Sequence, residues 1–371
     1  IRQDVSEIFN AAGRTSKLTL PPCVISVRGT LRRDWDRKTR IVWGYSGIVT
    51  TLEGCFASPL VNALMEHPDS PLLVGKRGLR RTLQLLRDNA DDVHFHGLDW
   101  ARFDTSVPNV IVDKVFDLFF NALDFQHIQT PTGYRSTTPL EKIKYVRVFR
   151  ACQWFFKNTF FLTPDGRGWR KNCGVPSGSY FTNLLDSVVN YCVMKGLFAE
   201  LAISHRRLLV NGDDSLISTN GPLTFKQIQG MHNSARRHVR MTLHPQGKSQ
   251  FNVVDPDDVE VSGTTWKGGV PNRSEELLFN LLIHPKQWIP DLGTSFGRMI
   301  GLYFAGGFNC PGFCKYFNDF QKGYPIGSVQ PTIPRDMYNY LLYGLGLNPD
   351  ELSNFTSSKF ILKPTLLYAS I

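Results

Sequence analysis

Long apolar runs and patterned cysteines are both scarce in this 371-residue sequence. No uninterrupted apolar run approaches the roughly 18 residues that a membrane-spanning helix needs, and even Leu277–Ile283 contains Asn280. The seven cysteines, at positions 23, 55, 152, 173, 192, 310 and 314, form no series of metal ligands, since Cys310 and Cys314 lack a second pair. We therefore expect neither membrane insertion nor a zinc site, and the odd count fits a reducing compartment.

Acidic residues are also in deficit, with 32 Asp and Glu against 42 Lys and Arg, which leaves a net charge of +10. This excess favours a polyanionic partner such as nucleic acid, although ribosomal and membrane-surface proteins share it. Repeats and low-complexity tracts are absent from the sequence, and 42% of its residues are hydrophobic. A chain of this size and composition can bury large cores in several subdomains.

An acidic pair stands between two apolar runs. Leu208–Val210 leads into Asn211-Gly212, and Leu216 and Ile217 follow Asp213-Asp214-Ser215. Asn-Gly between strand-like runs is typical of a short hairpin, because both residues tolerate positive φ. The tip of the predicted hairpin carries two adjacent carboxylates, which repel each other unless cations lie between them.

A second acidic segment, from Asp99 to Asp104, follows an alternating run (93–98) that predicts a strand. If the two strands are neighbours, Asp99 faces Asp213. Carboxylates from two strands can bridge a pair of Mg²⁺ ions about 3.5–4 Å apart, which stabilise the attacking and leaving oxygens of a phosphoryl transfer. For an isolated Asp-Asp pair, an ordinary solvated turn is the alternative.

A Gly-rich helix start, 174–183, lies between the two acidic segments. Glycine permits close approach to a ligand, and small hydroxyls at the start of a helix either cap it or contact a sugar. The predicted apolar face of the helix is Phe181, Leu184, Leu185, Val188 and Cys192. Its polar stripe is Thr182, Asp186 and Asn190.

Basic residues concentrate upstream, at Arg28, Arg32, Arg33, Arg37, Lys38 and Arg40. An alternating Lys-x-Arg places Lys38 and Arg40 on one side of a strand, which suits the grip on a triphosphate. A solvated basic face is the alternative.

The order basic strand, Asp-x₄-Asp, Ser-Gly-x₃-Thr and Gly-Asp-Asp resembles that of viral RNA-dependent RNA polymerases. Segments 174–182 and 186–190 are most similar to those of partitiviruses and the related picobirnaviruses. The resemblance runs in order from about residue 28 to about residue 275. It implies an α+β right-hand fold of fingers, palm and thumb, with an antiparallel palm sheet.

The resemblance also implies roles. Asp99, Asp213 and Asp214 match the catalytic, metal-binding carboxylates, with Mg²⁺ as the expected cofactor and Mn²⁺ as its alternative. The residues implied to contact the nucleotide are Lys38, Arg40, Asp104, Ser177, Gly178, Thr182 and Asn183. Among them, the basic pair would contact the triphosphate, and Asp104 with the serine and the threonine would sense the ribose hydroxyls.

One position departs from many positive-strand virus polymerases, which have asparagine where this chain has Asp186. Partitivirus-like sequences share the aspartate. The hydrogen-bond partner of Asp104 therefore stays open among Asn183, Asp186 and Asn190, and two facing carboxylates would need a proton or a bridging donor.

Downstream, Lys248 matches the lysine that protonates the departing pyrophosphate, with a solvated surface lysine as the alternative. The segment 262–269 predicts a strand and turn, similar to the hairpin that grips the 3′ end of the primer, and Trp266 within it also suits a core position. In the segment 126–165, aromatic and basic residues interleave, which suits RNA, although core packing is the expected fate of Trp154-Phe155-Phe156.

The expected division is a fingers portion with helices leading into the palm (1–92), palm (93–125), a fingers insertion (126–165), palm (166–275) and thumb (276–371), with the thumb including a helical segment at Arg335–Gly344. The chain begins at Ile1 rather than methionine, so we expect a fragment or a processed chain with incomplete N-terminal fingertips.

The expected function is template-directed RNA synthesis from ribonucleoside triphosphates, replicating and transcribing a viral RNA genome. RNA template and product are the expected partners, a viral capsid protein is a further one, and the setting is the virion interior or the host cytoplasm. A reverse transcriptase is one alternative, but it usually has an aromatic residue where this chain has Asp104. A non-catalytic RNA-binding protein on a decayed polymerase fold is the other.

Overall fold

The structure, a computed structural model, describes residues 1–15, 17–31, 37–87, 92–244, 248–261, 263–285, 289–324 and 332, with the backbone alone at 28–31, 37–40, 75 and 76. The helices are α1 (Arg2–Arg14), α2 (Gly47–Glu66), α3 (Gly75–Leu86), α4 (Phe103–Ser106), α5 (Asn109–Ala122), α6 (Pro139–Lys157), α7 (Thr182–Glu200), α8 (Phe225–Ser234), α9 (Glu275–Ile283), α10 (Leu292–Phe304) and α11 (Pro311–Gly323).

The strands are β1 (Cys23–Leu31), β2 (Arg37–Gly44), β3 (Val93–Leu98), β4 (Trp100–Ala101), β5 (His127–Thr130), β6 (Gly133–Ser136), β7 (Phe160–Leu162), β8 (Gly168–Arg170), β9 (His205–Asn211), β10 (Asp214–Asn220), β11 (Thr242–Leu243), β12 (Gln250–Val253), β13 (Thr265–Lys267) and β14 (Val270–Asn272). The local sequence explains where α6 and α8 begin. Each starts with a capping box, in which the side chains of a threonine and of the Glu or Gln three residues later each accept a hydrogen bond from the other's backbone N–H.

The sheet that positions the acidic segments has the strand order β12-β3-β10-β9 and is antiparallel throughout. This confirms the predicted strand at 93–98 and the predicted hairpin. The turn differs by one residue: Asn211 pairs with Asp214, so Gly212 and Asp213 form it, and Gly212 alone takes positive φ (59°) there. Asn211 instead ends β9 because its backbone belongs to the ladder.

Helix α7 packs against β9, and its buried face is wider than the predicted apolar one. Leu184 and Leu185 are buried as expected, but Cys192 is exposed, whereas Asp186 and Asn190 are buried. The reason is that the helix meets the hairpin's backbone, whose polar groups need hydrogen-bonding partners. The polar stripe therefore faces inward.

Aromatic rings from α2, α5 and α6, together with Phe181 just before α7, form much of the main core. Phe116 of α5 lies 5.0 Å from Phe181 and 5.2 Å from Phe156 between ring centroids, and Phe56 of α2 lies 5.4 Å from Phe149 of α6. Burying each ring contributes about 1.5–3 kcal/mol. Phe155 and Phe156 are core residues as predicted, but the prediction was wrong for Trp154, which is 54% exposed with the guanidinium of Arg170 5.3 Å from its ring.

A second sheet, β2-β1-β7-β8, contains the basic strand. Strands β1 and β2 are antiparallel, with Arg28 opposite Arg40 and Thr30 opposite Lys38. The side chains of Lys38 and Arg40 lie outside the described residues, so their predicted grip on a triphosphate stays a prediction.

Helices α9, α10 and α11 pack together around a smaller core that includes Leu278, Met299 and Phe313. Before them, β13 and β14 form a hairpin over the predicted strand and turn, with positive φ at Gly268 (58°) and Gly269 (82°), and Trp266 packs half-buried against this core. The predicted helix Arg335–Gly344 and Ser262 lie outside the described residues. The domain boundaries stay a prediction.

One described helix, α2, is long and apolar enough to cross a membrane by length and composition. Polar residues interrupt its sequence, so it contains no long uninterrupted apolar run. Its apolar side chains, among them Leu52 and Phe56, belong to the main core.

Candidate active site

The acidic residues meet where β3 and β10 run side by side. Leu98 pairs with Ser215, so the next residues outward, Asp99 and Asp214, stand at adjoining ends of the two strands, with Asp213 in the turn beyond. Burial, followed by the charges of Asp214, Asp99 and Asp104, raises the pKa of Asp213 to about 6. The structure thus brings the predicted carboxylates of the two segments into one electrostatic cluster.

This cluster fits a hard divalent cation by its charge and by its donor atoms. An uncompensated group of carboxylates is stabilised by a cation, and Mg²⁺ in particular is usually held by one or two carboxylates plus waters and substrate phosphates. Within the described ranges, no three His, Cys, Asp or Glu side chains form a ready ligand set. The oxygen donors do not discriminate Mg²⁺ from Mn²⁺.

Asn190 holds the acidic turn in place. It is fully buried, and its Nδ2 donates to the backbone oxygens of Gly212 (3.0 Å) and Asp214 (3.1 Å). Its Oδ1 accepts from the indole N–H of Trp100 (2.9 Å) and from the hydroxyl of Ser215 (3.0 Å). One amide therefore ties the hairpin to the segment that carries Asp99, a role that sequence reasoning missed.

Asn190→Ala is expected to destabilise the protein by about 3 kcal/mol, because it leaves buried donors and acceptors of both segments unpaired. Urea unfolding of the variant measures this. Asn233→Ala removes an exposed asparagine of α8 and should change stability by less than about 0.5 kcal/mol. Equal effects of the two variants would contradict the role of Asn190.

The three candidate partners of Asp104 all lie close to the acidic turn. Asn183 donates to Asn211 Oδ1 (3.1 Å), and Asn190 is engaged with the hairpin. Asp186 is buried, and burial, then the charges of Asp104 and Asp213, raise its pKa well above its usual range. The Oδ1 of Asp186 has no hydrogen-bond partner among the described residues, and the partner of Asp104 stays a prediction.

The loop 171–181 joins β8 to α7 and is anchored at its start by Lys171. This buried lysine donates from Nζ to the carbonyl of Gly174 (2.5 Å), and burial lowers its pKa to about 8. Gly174 takes positive φ (77°), and the next amide, Val175 N, donates to the carbonyl of Asp104 (2.5 Å). The loop thereby lies directly on the segment that carries Asp104.

At the other end of the loop, Glu53 of α2 accepts two hydrogen bonds. Its Oε2 accepts from Ser179 Oγ (2.8 Å) and from the backbone N–H of Tyr180 (2.7 Å). Burial raises the pKa of Glu53 to about 7, against the lowering effect of these two bonds. Ser177, between the anchors, is exposed, and Thr182 donates its hydroxyl hydrogen to the carbonyl of Pro176 (2.7 Å).

Glu53→Gln is expected to remove a pH dependence of stability. The unfolded carboxyl, with a pKa near 4.5, releases its proton before the folded one does, so wild-type stability falls as pH rises from about 4.5 through 7. Glutamine has no proton to release, so the variant should become more stable than wild type by about 1–3 kcal/mol above pH 7 and match it below pH 4.5.

Urea unfolding across this pH range measures the difference for Glu53→Gln. Glu66→Gln, at the exposed end of the same helix, should leave the pH dependence unchanged. A constant offset between Glu53→Gln and wild type at every pH would refute the assignment.

Lys248 lies on the Asp99 side of the cluster. Its Nζ is 3.3 Å from His244 Nε2, which is 3.9 Å from Asp99 Oδ2. The backbone of His244 also donates to the carbonyl of Asp99 (2.9 Å). The sequence analysis did not identify His244 as a site residue. The only signal for it in the sequence is its position four residues before Lys248.

A family model described as viral RNA-dependent RNA polymerase matches residues 11–319 of the chain. The chain belongs to this polymerase family. Curated relatives named RNA-directed RNA polymerase include those of White clover cryptic virus 1, 24% identical over 82% of this chain and 52% of the relative, and of Cryptosporidium parvum virus 1, 24% identical over 74% and 50%. The partitivirus-like resemblance is confirmed by the family and by these relatives.

Among solved structures, the RNA-dependent RNA polymerase of a human picobirnavirus superposes with a TM-score of 0.63 at 15% identity, covering 94% of this chain and 61% of that one. This likeness confirms the right-hand polymerase fold with its antiparallel sheet. The chain spans about half the length of the curated polymerases it matches.

Proposed function

We propose that the chain catalyses template-directed RNA synthesis. An RNA 3′ hydroxyl attacks the α-phosphate of a ribonucleoside triphosphate, a new P–O bond forms, and the bond to pyrophosphate breaks. The observation that carries the proposal is the cluster in which the charges of Asp99, Asp104 and Asp214 act on the half-buried Asp213. Repulsion among these carboxylates raises the free energy of the folded protein unless cations bind between them. Clusters of this kind are typical of functional sites.

Asp99, Asp213 and Asp214 are the residues that would hold the divalent ions, whose charge stabilises the attacking and leaving oxygens. Mg²⁺ is the proposed ion and Mn²⁺ its substitute. Lys38 and Arg40, on the strand opposite β1, are proposed to contact the triphosphate through charge-assisted hydrogen bonds.

The ribose side of the site is proposed to consist of Asp104, Ser177, Gly178, Thr182 and Asn183. The contact between the loop and Asp104 supports this grouping, because Val175 N binds the carbonyl of Asp104. A carboxylate at position 104 accepts hydrogen bonds from ribose hydroxyls, whereas the bulky aromatic usual in reverse transcriptases excludes the 2′ hydroxyl. The site therefore favours ribonucleotides.

Lys248 is proposed as the general acid that gives a proton to pyrophosphate. Lys248→Met should lower kcat about tenfold. The effect is modest because this lysine is exposed, so water can donate the proton in its place. The KM for nucleotide should change little. Lys322→Met, at an exposed lysine of α11, is the matched control, and an unchanged kcat in Lys248→Met would refute the role.

RNA template and product, ribonucleoside triphosphates and a viral capsid protein are the proposed partners. The proposed setting is replication and transcription of a viral RNA genome in the virion interior or the host cytoplasm. The relatives support this, since they are viral proteins named RNA-directed RNA polymerase.

The test is incorporation of labelled nucleotide by the purified chain on an RNA template, with and without divalent ions. Metal-dependent incorporation of ribonucleotides is expected. Preference for deoxyribonucleotides would support the reverse transcriptase instead, and RNA binding without incorporation would support the non-catalytic protein.

A further inference from the structure

Glu53 is an unusual residue for its position. It lies inside α2, a helix whose other buried residues are apolar (Val49, Leu52, Phe56, Ala57 and Leu60), and it is itself fully buried. Among the residues that the structure describes, one of its oxygens, Oε1, has no hydrogen-bond partner, and none of the ion pairs involves it. An apolar side chain would stabilise the helix packing better, so stability does not account for a carboxyl here.

What the carboxyl contacts is the loop 171–181. Its other oxygen, Oε2, receives both the hydroxyl of Ser179 and the amide of Tyr180. The ring of Tyr180 lies against Gly54, where an added Cβ would be 3.5 Å from it, and its hydroxyl accepts from Ser58 Oγ (3.0 Å). Three residues of α2, at positions 53, 54 and 58, thus contact the end of the loop.

The position of the exposed Ser177 is set by this anchoring. Upstream, Lys171 and the carbonyl of Asp104 hold the loop at Gly174 and Val175. Downstream, Glu53 holds Ser179 and Tyr180. Only Pro176, Ser177 and Gly178 lie between the two anchors, so the position of Ser177 depends on both.

We propose that Glu53 is a positioning residue: by binding Ser179 and Tyr180 it fixes the loop that presents Ser177 to the ribose of the incoming nucleotide. The inference rests on the proposed function for its catalytic consequence, but the anchoring itself does not. The hydrogen bonds of Glu53 are with Ser179 and Tyr180 of the loop. Glu53 acts through the loop.

Three variants separate positioning from simple folding. Glu53→Leu keeps a side chain of similar size but removes both acceptors. Glu53→Gln keeps one oxygen that can accept from both donors. Val49→Ala removes a fully buried apolar group from the same helix without touching the loop.

The first measurement is hydrogen–deuterium exchange of the amides in 174–181, which needs no enzymatic activity. Glu53→Leu should speed exchange there on the order of tenfold, the loss expected from one charge-assisted hydrogen bond. Glu53→Gln should restore protection, and Val49→Ala should lower the melting temperature without a selective change in this segment. Wild-type exchange in Glu53→Leu, or an equal selective effect of Val49→Ala, would overturn the inference.

The second measurement is the ratio of kcat/KM for a ribonucleotide to that for its 2′-deoxy analogue. It should fall about tenfold in Glu53→Leu, with recovery in Glu53→Gln. The double variant Glu53→Leu, Ser177→Ala should discriminate no worse than Ser177→Ala, because both changes act on one contact. Full additivity would overturn the proposal, whereas incorporation by a chain with Asp213→Asn would instead refute the proposed function.

Discussion

Asp213→Asn is expected to abolish metal-dependent nucleotide incorporation while leaving RNA binding largely intact. The substitution keeps the size of the side chain but removes the negative charge at the centre of the acidic cluster, and with it the donor that would hold an ion against the substrate phosphates. RNA binding depends mainly on the basic surface of this +10 chain, which the substitution leaves in place.

The same variant should be more stable than wild type in metal-free buffer. Burial and the charges of Asp214, Asp99 and Asp104 raise the pKa of Asp213 from 3.8 to about 6, so the folded state keeps a proton that the unfolded chain releases. Wild-type stability therefore falls as pH rises from about 3.8 through 6. Asparagine avoids this loss, so Asp213→Asn should gain about 1–3 kcal/mol above pH 6 and nothing below pH 3.8.

Incorporation assays, RNA-binding titrations and urea unfolding at pH 4 and pH 8 together test this prediction. Asp69→Asn, at an exposed aspartate beyond the end of α2, should change none of the three. Normal incorporation by Asp213→Asn would refute its catalytic role. Loss of activity accompanied by lower stability would show instead that the carboxylate supports folding.

Local sequence patterns predicted the elements that carry the acidic residues. Alternation over 93–98 and the glycine before Asp213 are short-range signals, and both elements formed where expected. Hydropathy did not predict the whole buried face of α7. It ranks side chains by polarity but takes no account of the backbone groups that those side chains contact. Asn190 is buried because the hairpin's polar backbone lies against it.

The residues that hold the site together were invisible to the same patterns. Glu53 is 126 positions from its partner Ser179, and Asn190 reaches back 90 positions to Trp100. Lys171 directly follows Arg170, and nothing in the local sequence distinguishes it from a solvated surface lysine. Their partners are defined by tertiary packing, which no periodicity of 2 or 3.6 residues encodes.

Gly178→Ala is expected to lower kcat/KM for nucleotide incorporation by about a hundredfold or more. A Cβ at this position would overlap the carbonyl oxygen of Trp43, and it would also meet the backbone of Tyr45 at 3.4 Å. Backbone atoms cannot rotate away as a flexible side chain would, so the loop must move. A displacement near 1 Å in a segment that positions substrate costs about 10²-fold.

The shift also affects the basic strand, because Trp43 belongs to β2, which carries Lys38 and Arg40. A displaced Gly178 therefore disturbs the proposed ribose and triphosphate contacts together, and both KM and kcat should change.

Gly196→Ala is the matched control: this glycine of α7 has no atom within 4 Å of an added Cβ. There alanine should leave activity unchanged and stabilise the helix by up to about 1 kcal/mol. Steady-state kinetics of the two variants decide the matter, since wild-type kinetics in Gly178→Ala would show that the close packing of the loop on β2 is not needed for catalysis.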